Sequence, residues 1–257
     1  MAKILIQREK REKIEDKTRV IASTRTFYVN NDKQDYHSSI GVIRKEDLQS
    51  KDGKTVETSS GKPLIVLSPS FIDEFKQLKK FAQTPPLKDM AVIAAETGMG
   101  PDTTVLDAGA GSGHMCSFFA HICKKVVTCD IRTECLDMAR MNIKQLGLKN
   151  IELKDNNIYE KTPEIDVDVM TLDVPEPWRA VDTALKALKV GGFLVSYSPS
   201  VMQVSRFVNA IRDKKEFLYL KTIEVIERPW KVDGEAVRPA NTPIGHSAFL
   251  TFARRIG

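Results

Sequence analysis

The chain has 257 residues, and 42% of them are hydrophobic, which is enough to fold one catalytic domain with a small accessory domain. No apolar run approaches the roughly 20 residues that cross a bilayer. The opening residues, MAKILIQREKREK, become charged too early for a secretory signal, so a cytoplasmic location is expected. Basic residues exceed acidic ones, 39 against 34, and the net charge of +5 gives modest support to a polyanionic partner.

The first seventy or so residues predict a small β domain. Short runs of β-forming residues alternate there with turn formers, as in TRVIAS, RTFYVN and KPLIVL. Apolar residues from Phe71 to Leu78 then recur at helical spacing, which predicts a helix that Ser70 caps and Pro85 ends. The expected domains are therefore a β-rich domain over 1–70 and a catalytic domain over 71–257.

From Val105 the pattern alternates strand with helix, which is typical of a mostly parallel, doubly wound α/β sheet. A short helix precedes this region, from about Asp89 to Thr97. Strands are expected at Val105–Asp107, Val126–Asp130, Ile151–Lys154, Val167–Leu172 and Phe193–Ser198, and a helix at Thr133–Leu146. Two late runs, Thr222–Ile226 and Ala248–Ala253, are candidates for a closing antiparallel pair.

The segment VLDAGAGSG, from Val105 to Gly113, predicts a strand, a tight turn and the start of a helix. Its three glycines allow positive φ angles and a close approach of the backbone to a ligand. The free N–H groups at the helix start then face the polar groups of that ligand. A nucleotide-like ligand is therefore expected at this turn.

Acidic residues stand at four places around the predicted strand ends: Asp107 before the glycines, then Asp130, Asp155 and Asp173. Carboxyl ends of parallel strands border the crevice in which open α/β sheets bind ligands. S-adenosylmethionine enzymes use this layout, with an acid suited to the ribose at Asp130 and a polar pair at Asp155 and Asn156. A dinucleotide-binding oxidoreductase remains an alternative, although its site does not require an acid after the fourth strand.

The four cysteines lie between Cys116 and Cys135 without C-x-x-C spacing or a His-rich partner segment. Buried thiols and no metal site are expected. Basic residues are frequent from Arg8 to Arg25 and again at Lys76, Lys79, Lys80 and Lys88. Such runs indicate either nucleic-acid contact or a solvated face, and charge alone does not separate the two.

Four segments carry a resemblance to a known family: VLDAGAGSG, LDVPEP around Asp173, GGFLVSYSP at 191–199 and RPANTPIGHSAFLTFARR at 238–255. The glycine segment is common to many methyltransferases, whereas LDVPEP and the tail are specific. Over nearly its whole length the sequence resembles the tRNA (adenine-N1) methyltransferases, the TrmI family, in their archaeal form. The resemblance implies a Rossmann-like class I S-adenosylmethionine-dependent methyltransferase fold after a small N-terminal β domain.

The linker before the second predicted helix matches the family pattern in part. Gln83, Lys88 and Asp89 are kept. Lys80 stands where the family carries Arg, and Pro86 stands where it carries an aromatic residue or His. A ring contact from that position is therefore not expected, and Asp130 is a shorter acid than the Glu that is common after the second strand.

The resemblance implies methyl transfer from S-adenosylmethionine to N1 of a T-loop adenine in tRNA, at position 58 with position 57 as an open second site, by a homotetramer. Position and chemistry, argued below, make Asp173 the candidate catalytic residue and Tyr197 and Arg238 candidate substrate contacts. The implied cofactor-binding residues are Gln83, Asp107, Gly109, Ala110, Gly111, Ser112, Gly113, His114, Asp130, Ile131, Asp155, Asn156 and Asp173.

The chemistry of adenine fits a carboxylate at Asp173. N1 has an in-plane lone pair and attacks a sulfonium methyl without prior deprotonation, so no catalytic Cys or strong base is needed. A carboxylate that binds the exocyclic amine would orient N1 and stabilise the positive charge of the product. Tyr197 is a base-stacking residue or a core residue, Arg238 a phosphate contact or a solvated loop residue, and His246 is expected to be structural.

Two further alternatives belong to other classes. One is a methyltransferase for a protein or small molecule that resembles the isoaspartyl methyltransferases, which share the glycine turn. The other is a non-catalytic tRNA-binding subunit that has lost its cofactor site. The tail and LDVPEP argue against the first, and the intact glycines with Asp130 and Asp173 argue against the second.

Overall fold

A computed structural model describes residues 1–14, 17–80, 83–233, 236–241 and 245–257. Parts of three predicted features lie outside the described residues, namely 15–16 of the basic N-terminal run, 81–82 before Pro85, and 242–244 of the tail motif. The chain divides into two compact units, Met1–Gln77 and Leu78–Gly257. This division lies seven residues after the boundary at 70 that the sequence suggests.

The first unit is β-rich, as its alternating sequence predicts. Its main sheet has four antiparallel strands in the order β4-β1-β8-β7, over a core that includes Leu5, Leu48 and Leu64. Two hairpins, β2-β3 and β5-β6, accompany it. The elements are β1 Lys3–Gln7, β2 Lys10–Ile14, β3 Lys17–Ala22, β4 Arg25–Val29, β5 Tyr36–Ser38, β6 Gly41–Ile43, α1 Lys45–Leu48, β7 Thr55–Glu57, β8 Pro63–Leu67 and α2 Phe71–Phe75.

The predicted helix from Phe71 to Leu78 is wrong in its length. Ser70 caps α2 through a capping box with Asp73, but the helix ends at Phe75. Leu78 already belongs to the second unit, so the chain passes between units where the periodicity predicts a continuing helix. Tertiary structure here outweighs local pattern.

The second unit is an α/β domain with the elements α3 Leu87–Glu96, β9 Thr104–Ala108, α4 His114–Ala120, β10 Lys125–Asp130, α5 Thr133–Gln145, β11 Ile151–Asp155, β12 Val167–Leu172, a 3-10 helix Pro177–Ala180, α6 Val181–Ala187, β13 Leu188–Ser198, α7 Val201–Arg212, β14 Phe217–Glu224, β15 Trp230–Asp233, β16 Ala236–Pro239 and β17 Phe249–Arg255. Its central sheet has seven strands in the order β11-β10-β9-β12-β13-β17-β14.

Neighbouring strands from β11 to β13 are parallel, and β17 pairs antiparallel with both β13 and β14. The five predicted parallel strands and the late antiparallel pair are confirmed. The chain reverses its direction of travel across the sheet at β9, which lies between β10 and β12. Such a reversal opens a crevice at the carboxyl ends of the strands, where α/β sheets bind ligands.

The strands of this sheet are buried because helices cover them. Leu106, Met170 and Phe207 are fully buried and belong to one hydrophobic cluster with residues of α6 and β13. This packing fixes the strand ends that carry the acids. Among the described residues, no helix is both long and apolar enough to cross a membrane.

Candidate active site

A cavity of about 610 Å³ lies at the carboxyl ends of β9, β10 and β12, where the strand order reverses. A cavity of this size is typical of small-molecule and cofactor sites. The strand-end loops and the segment before α3 bring together seven of the residues expected from the sequence: Gln83, Gly109, Gly111, Asp130, Ile131, Asn156 and Asp173.

Glycine is required at two positions of the turn after β9, for a different structural reason at each. Gly109 has a φ of +97°, and a Cβ there would collide with the backbone carbonyl of Asp173. Gly111 has a φ of +50°, and a Cβ there would meet only the Gly109 carbonyl oxygen, at 4.0 Å. Gly109 therefore lets two strand-end loops approach each other, while Gly111 leaves free a space that a side chain would fill.

Asp107 is fully buried below the glycine turn and does not line the cavity. Its carboxylate accepts hydrogen bonds from Thr128 on β10 at 2.9 Å and from Thr171 on β12 at 2.7 Å. Burial raises its pKa to about 6, against the lowering effect of these two hydroxyls. Asp107 thus ties the three central strands together beneath the site.

Asp130 ends β10 and connects this strand to the glycine turn. Its Oδ2 accepts a hydrogen bond from the Gly111 N–H at 3.0 Å. Its Oδ1 accepts from the backbone N–H of Arg132 at 3.0 Å and from Arg132 Nε at 3.3 Å. Since a carboxylate oxygen accepts two bonds, Oδ2 retains one acceptor position toward the cavity.

Asp173 follows β12, and its backbone N–H donates to the Ala108 carbonyl at 2.9 Å, which holds it beside the glycine turn. Its half-buried side chain lines the cavity, and its carboxylate has no hydrogen-bond partner among the described residues. Burial, followed by the charges of Asp107 and Asp130, raises its pKa to about 7, while Arg132 acts in the opposite direction. A carboxyl group with a perturbed pKa in a cavity is a candidate for chemistry.

The other expected residues lie away from the cavity lining. Ala110, Ser112, Gly113 and His114 form the turn and the start of α4, where the Ser112 hydroxyl and His114 Nδ1 are 3.1 Å apart. Asp155 is exposed, while its neighbour Asn156 lines the cavity. Tyr197 is 8% exposed at the end of β13. Arg238 is exposed on the hairpin of β15 and β16 and donates to Asn241.

Sequence reasoning missed the other residues of the cavity wall, which are Cys129, Arg132, Asn157, Ile158, Tyr159, Val174, Pro175, Pro199 and Gln203. The Tyr159 hydroxyl accepts from the Glu176 N–H at 3.0 Å, and Gln203 Nε2 donates to the Pro175 carbonyl at 2.8 Å. Both bonds hold the LDVPEP loop that follows Asp173. Ser200 and Gln203 form a capping box, which signals the start of α7 in the sequence but not a place in the cavity wall.

In the described part of the chain, no three His, Cys, Asp or Glu side chains form a group that could hold a metal ion. All four cysteines are buried free thiols, as expected.

The strand order, the glycine turn and the acids at the strand ends define a class I S-adenosylmethionine-dependent methyltransferase. The residues fit this methyl donor, because Gly111 leaves the cavity open to it and Asp130 retains an acceptor position there.

Comparisons with known proteins identify the family. Residues 77–238 match the family described as tRNA methyltransferase complex GCD14 subunit, and the chain belongs to that family. A tRNA (adenine(57)-N(1)/adenine(58)-N(1))-methyltransferase TrmI of Methanocaldococcus jannaschii is 29% identical, over 89% of this chain and 90% of that protein. A tRNA (adenine(58)-N(1))-methyltransferase TrmI of Thermus thermophilus is 29% identical, over 86% and 88%.

A solved structure agrees with the fold over nearly the whole chain. It is an S-adenosylmethionine-dependent O-methyltransferase from Thermotoga maritima, with a TM-score of 0.84 and 29% identity, over 99% of this chain and 93% of that one.

Proposed function

We propose that this protein transfers the methyl group of S-adenosylmethionine to N1 of a T-loop adenine in tRNA. The observation that carries the proposal is Asp173, a cavity-lining carboxylate whose backbone is fixed against the glycine turn and whose oxygens have no partner among the described residues. Family membership and the names of the two TrmI relatives support the choice of substrate.

Asp173 suits an adenine because the base brings both a nucleophile and a hydrogen-bond donor. Bound S-adenosylmethionine supplies the electrophilic methyl group. The ionised Asp173 accepts a hydrogen bond from the exocyclic amine, which orients N1 toward the methyl. The carboxylate also stabilises the positive charge that develops on the base, in a site largely shielded from water.

The cofactor residues that we propose divide into two groups. Gly109, Gly111, Asp130, Ile131, Asn156, Gln83 and Asp173 line the cavity and are proposed to contact the cofactor. Asp107, Ala110, Ser112, Gly113 and His114 are proposed to support the turn beneath it. Asp155 is proposed to contribute through its neighbour Asn156, since Asp155 itself faces solvent.

One substrate contact is proposed at Tyr197, near the end of β13, the strand beside β12 and Asp173. The other is proposed at Arg238, which is exposed on its hairpin and can bind a phosphate group of the tRNA. The N-terminal domain, residues 1–70, is proposed to contact tRNA and to take part in assembly. Its exposed basic residues include Lys10, Lys13 and Arg19.

The proposed assembly is a homotetramer in the cytoplasm, where tRNA is available as substrate. Apolar side chains on the exposed hairpin of β15 and β16 support self-association, with Trp230 56%, Val232 68% and Val237 55% exposed. Light scattering after gel filtration measures the assembly. A monomer at micromolar concentration would contradict the tetramer without touching the proposed chemistry.

The reaction is tested with labelled S-adenosylmethionine and a tRNA transcript, followed by mapping of the methylated nucleotide. Replacing the adenine at position 58, or at 57, by guanine should remove the label from that position. An isoaspartyl peptide and a small catechol serve as competing substrates. Label on the peptide or on oxygen, with none on the transcript, would overturn the proposal.

A further inference from the structure

Lys88, Asp89 and Ser247 form a buried cluster that the proposed chemistry does not use. Lys88 Nζ donates to Asp89 Oδ1 at 2.7 Å, to Ser247 Oγ at 2.6 Å and to the Val225 carbonyl at 2.7 Å. Ser247 Oγ in turn donates to Asp89 Oδ2 at 2.7 Å. All three protons of the ammonium group are therefore bound.

The cluster joins segments that are distant in the sequence. Lys88 and Asp89 lie in the first turn of α3, Val225 follows β14, and Ser247 precedes β17. The side chain of Asp89 is fully buried and that of Lys88 is 11% exposed. Removing two charges from water costs free energy that their attraction barely repays, so a buried ion pair is weak evidence of a stabilising role. Its fixed geometry is the property that an apolar pair would not supply.

The neighbour of Ser247 reaches the cavity wall directly. His246 Nε2 donates to the carbonyl of Pro199, at 3.0 Å, and Pro199 lines the cavity. The other ring nitrogen, Nδ1, donates to Glu224. The Glu224 carboxylate, followed by the Pro199 carbonyl, raises the pKa of His246 because both accept protons of the charged ring. Positions 246 and 247 thus bind the Pro199 loop on one side and α3 on the other.

Tyr197 is close enough to both Asp89 of this cluster and Asp173 for their charges to act on it. It lies two residues before Pro199, at the end of β13, and is 8% exposed. Burial raises the pKa of its hydroxyl, and the nearby carboxylates of Asp89 and Asp173 raise it further, while the Ser247 side chain acts in the opposite direction. The hydroxyl therefore stays protonated, and the strand register, which pairs Ser196 with Leu172, places Tyr197 beside the strand end that carries Asp173.

We propose that Lys88 and Ser247 are positioning residues, which with Asp89 hold the end of β13, including Tyr197 and Pro199, in the place where the target adenine is oriented toward Asp173. The inference rests on the proposed function, because it concerns the same cavity. It assigns a role to Lys88 and Asp89 at the start of α3 and to Ser247 in the tail.

The expected effect is a loss of rate with little loss of cofactor affinity. A shift of about 1 Å in a residue that orients a reacting group costs on the order of 100-fold in rate. Ser247→Ala removes the hydroxyl that joins Lys88 to Asp89 and leaves the ion pair in place. Ser247→Thr keeps a hydroxyl and should recover most of the rate. Lys88→Met removes the ammonium group and should lower the rate further.

Lys221→Met is the matched control. Lys221 Nζ binds Glu96 Oε2 at 2.6 Å and so joins β14 to α3, as the Lys88 cluster does, but this pair is exposed. Its loss should leave the rate unchanged. The experiment measures single-turnover methylation of a tRNA transcript per cofactor-binding site, cofactor affinity by titration, and the melting temperature of each full-length variant.

The inference holds if Ser247→Ala loses at least about tenfold in rate while its cofactor affinity stays within about twofold and Ser247→Thr recovers. It is overturned if Ser247→Ala turns over like Lys221→Met, or if rate and cofactor affinity fall together in Ser247→Ala and threonine restores neither. If Lys88→Met fails to fold, the comparison of Ser247→Ala with Ser247→Thr still tests the inference. A wild-type protein that does not methylate the transcript overturns the proposed function and this inference with it, whereas an active wild type with a normal Ser247→Ala rate overturns the inference alone.

Discussion

Asp107 and Asp173 show how two carboxyl groups on neighbouring strands acquire different roles. Asp107 gives its oxygens to Thr128 and Thr171 inside the sheet. Asp173 lies beyond the carboxyl end of β12 and faces the cavity. Its carboxylate has no hydrogen-bond partner in the described ranges. The pKa is raised for both groups, so the difference lies in hydrogen bonding: hydroxyls bind both oxygens of Asp107, whereas the oxygens of Asp173 face the cavity.

Asp173→Asn tests the electrostatic role of this side chain. The amide keeps the shape but loses the charge, so we expect the single-turnover rate to fall on the order of 100-fold to 1,000-fold, as for other preorganised contacts. Cofactor affinity should change modestly and tRNA affinity hardly at all. A rate within a few-fold of wild type, measured on folded protein, would reject the catalytic role.

The raised pKa of Asp173 also predicts a pH dependence. The single-turnover rate should rise as the pH passes about 7, where the carboxyl group loses its proton, and the Asn variant should lack this limb. A rate–pH profile of both proteins, with the cofactor saturating, measures it. A wild-type profile that is flat between pH 6 and about 8 would contradict the assignment.

The same group affects stability in the opposite sense. Its folded pKa of about 7 lies above its ordinary value of 3.8, so the folded protein binds more protons than the unfolded chain between these values. Its contribution to stability is therefore lost as the pH rises through this window. Asp173→Asn should melt higher than wild type at about pH 8, and this advantage should shrink toward pH 5. A variant that melts lower at both pH values would indicate a structural role instead.

The glycine turn gives a prediction at the scale of one element. Gly111→Val places a side chain in open space on the cavity side, whereas Gly109→Ala drives a Cβ into the backbone of Asp173. We expect Gly111→Val to fold, with about 1 kcal/mol of backbone strain, and to lose most of its cofactor affinity. Gly109→Ala should lower the melting temperature much more.

Titration with S-adenosylmethionine and thermal unfolding separate the two variants. Gly111→Val that binds the cofactor as wild type does would show that the ligand does not approach the turn at this residue. The Gly109 variant is then the control for general damage to the turn.

The element scale also shows what the sequence could predict. The parallel strands and the late antiparallel pair follow from local periodicity. The predicted helix α2 was too long, because the chain enters the second compact unit at Leu78 although the apolar spacing continues to that residue. The acids Asp130, Asp155 and Asp173 were found because each lies at the last residue of a predicted strand or directly after it. The hydrogen bonds of Asp107 to strands further along the chain, and the wall residues Tyr159 and Gln203, depend on tertiary contacts that no local pattern encodes.

For the whole molecule, we expect tRNA binding to weaken steeply with salt. Lysine and arginine side chains that bind phosphates release counterions, so the logarithm of the binding constant falls with the logarithm of salt concentration. Exposed basic residues such as Lys10, Lys13 and Arg19 are candidates for these contacts. Filter binding between about 50 and 200 mM salt measures the slope. A constant affinity over this range would exclude a phosphate-dominated interface.

The position of β17 has a consequence for how the molecule folds. This strand comes after β14 in the chain but lies between β13 and β14 in the sheet. Until residues 249–255 are in place, β13 and β14 present two open edges separated by a slot one strand wide. The incoming strand completes the sheet and also anchors Tyr197, its neighbour by register at Leu250. A β17 strand from a second molecule fits the same slot, so refolding at high protein concentration should yield strand-exchanged dimers.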